Sequence, residues 1–355
     1  MKTTHKIHYL DARKMDPVPS AGIDLVVTSP PYPMIEMWDP MFAAQDPAVA
    51  EALERSDGWQ AFESMHRLLD PVWAEVHRVL VDGGIACINI GDATRTLGDR
   101  FALYPNHARI LVRLVELGFV PLPVILWRKQ TNAPNKFMGS GMLPPGAYVT
   151  LEHEHILIVR KGGKRGFLSE EGKGLRRESA FFWEERNRWF SDVWSDLKGT
   201  VQGLSDRKVR DRSAAFPFEL PYRLINMFSI KGDTVLDPFL GVGTTMLAAM
   251  ASGRNSIGFE IDPNFAGVIS EAIGAIVPFS NIRIAERLEA HGEFVRGRFE
   301  AKGTFGYRSR HHGFPVVTRQ EMEMLISPLA AVTSISPTEH QVEYSAGPQG
   351  SQFQD

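Results

Sequence analysis

Val235-Leu236-Asp237-Pro238-Phe239-Leu240-Gly241-Val242-Gly243-Thr244-Thr245 reads as a strand, a glycine turn and the first residues of a helix, the opening of a nucleotide-type βαβ unit. On its own the stretch is a weak signal. No lysine follows Gly243, as a P-loop requires, and the third glycine of the dinucleotide fingerprint is missing. A pyrophosphate is therefore a poor fit. The glycines still admit close backbone approach, and the strand Asn255 to Ile261 carries Glu260 about 20 residues beyond Gly241, where an acidic side chain grips ribose hydroxyls. A ribose without a pyrophosphate points to S-adenosylmethionine. Asp237 would hold that ligand's amino group, directly or through water, or else serve as the turn or cap residue before Pro238.

A second stretch, Asp24-Leu-Val-Val-Thr28-Ser29-Pro30-Pro31-Tyr32-Pro33, runs a buried-strand pattern into a stiff loop. Consecutive prolines fix two φ angles, remove two backbone donors and hold the residues before them extended. The carbonyls of Ser29 and Pro30 are thereby presented rigidly beside a hydroxyl and an aromatic ring. At the carboxyl end of a parallel strand such a loop accepts hydrogen bonds from an amino group and stacks a flat ring on Tyr32. The plain alternative is a Pro-rich turn that ends a strand.

The chain has 355 residues, 43% hydrophobic and 23% charged, which suits one large α/β domain with insertions or two domains. A single cysteine, Cys87, excludes a disulfide framework and a cysteine-based metal cluster and fits a reducing cytoplasm. No apolar run reaches membrane-spanning length, so a soluble cytoplasmic protein is expected. The net charge of -3 leaves nucleic acid open, because a binding face depends on where the basic residues lie.

Along the chain, Lys6 to Leu10 reads as a strand that ends at Asp11, and residues 34–57 read as a long aperiodic flap interrupted by Pro40 and Pro47. Trp59 to Leu80 carries a helical period through Pro71, and Ile85 to Ile90 is the next strand. His107 to Leu117 is an amphipathic helix. Val120 to Trp127 and Glu154 to Arg160 then form an antiparallel pair, joined by a Gly/Pro-rich excursion over residues 128–146. Residues 161–212 interleave Arg165, Lys173, Arg176, Arg177, Arg207, Lys208 and Arg210 with aromatics, a pattern that fits phosphate contacts and base stacking or else a solvated insertion diluted by five glutamates. The expected division is a first half over 1–160, an inserted target-recognition region over 161–212, a ligand-binding half over 213–295, and a basic extension over 296–355. Beyond Leu329 its Ser/Pro/Gln-rich sequence is expected to be disordered.

Taken together, Ser29-Pro30-Pro31-Tyr32 resembles the catalytic motif of DNA amino-methyltransferases, and Asp237 to Thr245 resembles their cofactor motif. The catalytic motif comes first, as in the circularly permuted β group. The resemblance runs from about His5 to about Leu288 and implies a doubly wound, mostly parallel seven-stranded α/β sheet of the S-adenosylmethionine-dependent methyltransferase type. It implies Lys6 to Leu10 as the strand beside Asn255 to Ile261. It assigns Ser29, Pro30, Pro31 and Tyr32 to catalysis. Asp11 is assigned to the cofactor's adenine, and Phe216 and Pro217 to a helix start that flanks its methionine end. Thr28, Asp237, Pro238, Phe239, Gly241, Gly243, Thr244, Thr245, Glu260 and Asp262 complete the implied cofactor set. No metal is expected.

An exocyclic amine is a poor nucleophile because its lone pair is delocalised into the ring. In the family its two hydrogens are held by the Ser29 side chain and the Pro30 carbonyl, Tyr32 stacks on the flipped base, and positioning supplies most of the rate. A serine at the head of the motif goes mostly with cytosine N4, and an acid or amide there with adenine N6. C5-cytosine chemistry is disfavoured, because it needs a thiolate on a mobile loop whereas Cys87 sits in an apolar strand. The expected partner is duplex DNA, with a cognate restriction endonuclease as a functional counterpart in a prokaryotic cytoplasm near the nucleoid. The sequence does not separate a monomer from a homodimer. Methylation of RNA or of a protein amide, and a non-catalytic nucleic-acid-binding relative, are the competing readings. His153 and His155 share one face of a strand and show no third metal ligand, so an edge-strand pattern is expected there.

Overall fold

The two apolar runs lie side by side at the centre of one sheet. In the computed structural model, which describes residues 1–129, 138–198 and 216–345, β2 (Ile23–Thr28) pairs in parallel with β8 (Thr234–Asp237), Leu25 opposite Val235 and Val26 opposite Leu236. Successive residues face opposite sides of a strand. Leu25 and Val27 accordingly belong to one hydrophobic cluster and Val26 to another, and all three are fully buried. Cover on both faces explains why neither run alternates with polar residues.

The remaining strands of the sheet are β1 (Lys2–His8), β3 (Leu80–Ile90), β4 (Phe119–Pro121), β5 (Ile125–Arg128), β6 (His153–Lys161), β7 (Val193–Trp194), β9 (Asn255–Phe259), β10 (Leu329–Ser336) and β11 (Glu339–Tyr344). Their order is β7-β5-β6-β3-β2-β8-β9-β1-β11-β10, with β4 also paired to β6. The run β1-β9-β8-β2-β3-β6-β5 is the expected doubly wound methyltransferase sheet, mostly parallel with β6 reversed between β3 and β5. β1 pairs in parallel with β9, His5 opposite Ser256, as expected for strands adjacent in space but far apart in the chain.

Helices α1 (Asp39–Gln45), α2 (Pro47–Glu54), α3 (Gly58–Val79) and α4 (Asn106–Glu116) cover one side of β2 and β3. Helices α5 (Glu170–Glu178) and α6 (Trp183–Trp189) follow β6. The opposite face is covered by α7 (Glu219–Phe228) and α8 (Thr244–Ala251). α9 (Ala266–Gly274) and α10 (Ile276–Lys302) complete the set, with Ile269, Ile273 and Ile276 packed into the core beside β1 and β11. No single described helix is long and apolar enough to cross a membrane.

Four expectations need correction. Residues 34–57 are not aperiodic, because Pro40 and Pro47 sit in the first turns of α1 and α2, where a missing N–H costs nothing, and the Asp46 carboxylate caps α2 through Ala48 N–H. Val120 to Trp127 is two strands rather than one, broken around Pro123, with both pieces paired to β6. Residues 329–345 are ordered, whereas residues 346–355 lie outside the described residues: β10 and β11 form a hairpin, and β11 pairs antiparallel with β1 from Lys2 opposite Glu343 to Lys6 opposite Glu339. Leu329 and Val342 are buried in the core, and the Tyr344 hydroxyl donates to the Met250 carbonyl at 2.6 Å. α10 also runs unbroken through position 296, where a boundary had been expected.

Candidate active site

β2 and β8 end next to each other, which brings the two motifs together. Buried Thr28, the last residue of β2, donates from Oγ1 to Asp237 Oδ1 at 2.6 Å, and the same oxygen accepts from Phe239 N–H at 3.0 Å. The Thr245 hydroxyl, which donates to the Val27 carbonyl at 3.3 Å, also lies near Asp237. Burial, opposed by the Thr28 and Thr245 hydroxyls and the Phe239 N–H, pushes the Asp237 carboxyl up to about 6. Asp237 thus ties the loop after β2 to the turn after β8.

The glycine turn is built as its composition demands. Gly241 and Gly243 have φ of +53° and +84°, values that L side chains rarely adopt. Gly241 N–H donates to Glu260 Oε2 at 2.8 Å, and Glu260 Oε1 accepts from Asp262 N–H at 2.9 Å. Burial raises the Glu260 carboxyl, and these two backbone donors partly offset that. A Cβ placed on Gly241 would meet nothing closer than the Phe239 carbonyl at 4.0 Å, so the backbone there is open to an approaching ligand. Glu260, Asp11, Pro238 and Phe239 line a solvent-open cleft, together with Met41 and Phe42 of α1. Asp11 is also held by Arg13, which donates from its backbone N–H and its guanidinium. Burial would raise the Asp11 carboxyl, and the bonds and charge of Arg13 outweigh it, leaving a net lowering.

Some assigned residues take other partners. Thr244 opens α8, and Asp262 caps the short turn Pro263–Phe265 through Asn264 N–H. Phe216 and Pro217 stand just before α7 and are not among the residues lining the cleft; Phe216 packs against the cluster that contains Leu25 and Val27.

On the catalytic loop, Ser29 Oγ donates to the Tyr32 hydroxyl at 3.1 Å, and the Tyr32 hydroxyl donates to Glu154 Oε2 at 2.9 Å. Asn89 Nδ2 reaches both Tyr32 Oη, at 2.8 Å, and Glu154 Oε2, at 2.6 Å. Lys129 pairs with the other Glu154 oxygen. Burial first, then the Glu154 charge, hold the Tyr32 phenol well above its ordinary value, so it keeps its proton. A Cβ on Gly91 would lie 3.0 Å from the Tyr32 ring, so glycine is what lets the ring sit there. Glu154 and Lys129 escaped the sequence reading. The available signal was an acid at the mouth of the apolar strand His153-Glu154-His155-Ile156-Leu157-Ile158-Val159.

His155 does find company. Asp92, His107 and His155 bring three ligand-type atoms within 4.8 Å of one another. The two rings, however, stack face to face at 3.8 Å and 13°, so their in-plane lone pairs run side by side instead of converging on one ion. Asp92 spends its carboxylate on the His107 ring and on the first turn of α4. Burial, then the neighbouring His107 ring, pull the His155 imidazole down to about 4. Cys87 is fully buried and its thiol is pushed up by burial, which leaves no reactive thiolate.

The basic residues are dispersed. Arg165 makes a two-pronged ion pair with Asp233, at 2.7 and 2.8 Å, and approaches Asp24 at 3.1 Å, all at the amino ends of β2 and β8 and away from the catalytic loop. Lys173 pairs with Glu170, Arg177 with Glu323, and Arg176 lies over Phe167. Arg207, Lys208 and Arg210 lie outside the described residues.

Comparison with known proteins joins this geometry to a family. The DNA methylase family matches residues 23–271, a span that holds both motifs and the strands that carry them. The chain belongs to the DNA methylase family. Among curated relatives, the Type II methyltransferase M.MthZI of Methanothermobacter thermautotrophicus is 54% identical over 325 residues, covering 91% of this chain and 90% of that one. The Type II methyltransferase M.MjaI of Methanocaldococcus jannaschii is 52% identical over 289 residues, covering 77% and 92%. Among solved structures, a putative DNA modification methylase from Thermus thermophilus, in complex with S-adenosyl-L-methionine, superposes with a TM-score of 0.60 at 35% identity over 77% of this methylase and 95% of that chain.

Proposed function

We infer that this methylase transfers a methyl group from S-adenosylmethionine to the exocyclic N4 amine of cytosine, at a specific sequence in duplex DNA, with the target base flipped out of the stack. The observation that carries this reading is the Thr28–Asp237 bond, which fixes an amine-accepting loop and an open glycine turn at neighbouring strand ends. The cofactor supplies a methyl group on a sulfonium, which leaves as a neutral thioether. Glu260 is suited to hold its ribose hydroxyls, with Asp11 near the adenine and Pro238 and Phe239 walling the cleft. Ser29 and the Pro30 carbonyl would take the two amine hydrogens, and the Tyr32 ring would support the base. No strong base is needed, because the methylated amine cation is itself a strong acid.

Serine at position 29 favours cytosine N4 over adenine N6, the competing reading for the same loop. We place target recognition mainly in residues 161–212, apart from Arg165, which is spent at the amino ends of β2 and β8, with help from residues 34–57 and 128–146. The Type II names of the relatives favour a cognate restriction endonuclease as a functional counterpart. Incubation with labelled S-adenosylmethionine and unmodified genomic DNA tests the reading: the label should enter nucleic acid, survive ribonuclease and be released by deoxyribonuclease. Failure of a folded, cofactor-binding protein to label any DNA would refute it, and ribonuclease-sensitive label would turn it toward RNA.

A further inference from the structure

A carboxylate inside an active site has to be doing something for the groups it touches. Glu154, near the start of β6, is 9% exposed and lies against the catalytic loop. The polarity of every bond around it can be assigned from the atoms alone. An ionised carboxylate only accepts, so the hydrogen between Tyr32 Oη and Glu154 Oε2 belongs to the phenol. The same rule fixes the Asn89 side chain, whose NH₂ must face Glu154, and its second N–H then points at the phenol oxygen. Lys129 closes the other side of the carboxylate.

The Tyr32 hydroxyl has one hydrogen, and Glu154 has taken it. Toward Ser29, at 3.1 Å, the phenol oxygen is therefore only an acceptor. The serine hydroxyl must donate, and its lone pairs are left facing away from Tyr32. Lone pairs are what an amine hydrogen requires. A serine whose own hydrogen pointed at the amine would oppose it.

We propose that Glu154 is a positioning residue for methyl transfer: through Tyr32 it fixes the direction of the Ser29 hydroxyl, so that Ser29 meets the target amine as a hydrogen-bond acceptor. The proposal rests on the reading of the Ser29 loop as an amine-binding site. It assigns to Tyr32 a task for its hydroxyl that is separate from stacking by its ring.

Glu154→Gln tests it with little change of shape. The new amide can present N–H to the phenol oxygen, which frees the Tyr32 hydrogen to turn toward Ser29 and reverses the chain. Tyr32→Phe keeps the ring and removes the acceptor. The readout is the single-turnover rate constant for methyl transfer to DNA, with cofactor affinity by calorimetry and DNA affinity by equilibrium binding. Each variant should lose about 10- to 100-fold in rate with both affinities within about twofold of the parent. The double variant should be no slower than the slower single variant, and Glu154→Gln in a Ser29→Ala background should have no further effect. A merely structural Glu154 would move the affinities, or would multiply the losses. Parental rate in Glu154→Gln or in Tyr32→Phe, or a double variant that loses the product of the two, overturns the proposal. If Glu154→Gln does not fold, Tyr32→Phe still decides, alone and in a Ser29→Ala background, where it should have no further effect. Parental enzyme that methylates no amine would instead overturn the functional reading beneath it, so the two failures are distinguishable.

Discussion

Thr28→Val cuts the bond that joins the two halves of the site while keeping the shape of the buried side chain. The Thr28 hydroxyl is fully buried and donates at 2.6 Å to Asp237, which is 3% exposed and whose carboxyl is pushed up to about 6. At pH 8 the carboxylate is ionised, and a hydrogen bond to a charged group is worth about 1.5–3 kcal/mol. At pH 5 Asp237 is mostly protonated and the bond falls to the neutral range of about 0.5–1.5 kcal/mol. The destabilisation should therefore shrink by about 1 kcal/mol from pH 8 to pH 5. The direction follows from linkage. A carboxyl held above its ordinary 3.8 stabilises the fold fully below about pH 4, and that contribution is lost as the pH rises through about 6. The gap of about two units corresponds to about 3 kcal/mol. The Thr28 bond lowers this pKa, so removing it raises the folded value further and steepens the loss of stability with pH. Urea unfolding followed by circular dichroism at both pH values, for parent and variant, measures the effect. Equal destabilisation at pH 5 and pH 8, or a variant as stable as the parent at pH 8, would refute the reasoning.

Two further outcomes follow from the fold. Arg165→Ala should destabilise the protein by about 1–3 kcal/mol, because it leaves buried Asp233 without its guanidinium, while the dependence of DNA affinity on salt stays that of the parent; a shallower salt slope would return Arg165 to the DNA. Removing residues 329–355 should strip β11 from β1, leaving an open strand edge and uncovering the core around Ile7 and Met250; the truncated protein should aggregate on light scattering, and a monodisperse product of parental stability would contradict the packing.

The centre of the fold was legible because its signals are local. β2 and β8 are buried on both faces and read as unbroken apolar runs, and two glycines with left-handed φ mark the turn that follows β8. What escaped depends on partners remote in the chain. The stretch Leu329-Ala-Ala-Val-Thr-Ser-Ile-Ser336 is largely exposed and built mostly of small residues, without a clean apolar/polar alternation; it is a strand because β11 pairs with it and β1 pairs with β11. Pro40 and Pro47 look like breakers until their places in the first helical turns are known. Glu154 reads as one of several alternating charges, and only Tyr32 and Asn89, 122 and 65 residues away, make it part of the site. Arg165 failed in the opposite sense, since composition marked it for phosphate and the fold gave it to Asp233.

We propose that the Ser29 loop serves the N4 amine of cytosine. Mass spectrometry of nucleosides from unmodified DNA, after treatment with the protein and isotopically labelled S-adenosylmethionine, tests it most directly. Labelled N4-methyldeoxycytidine is the expected product. Labelled N6-methyladenine would contradict the assignment made from Ser29, and labelled 5-methylcytosine would contradict the chemistry of the whole site.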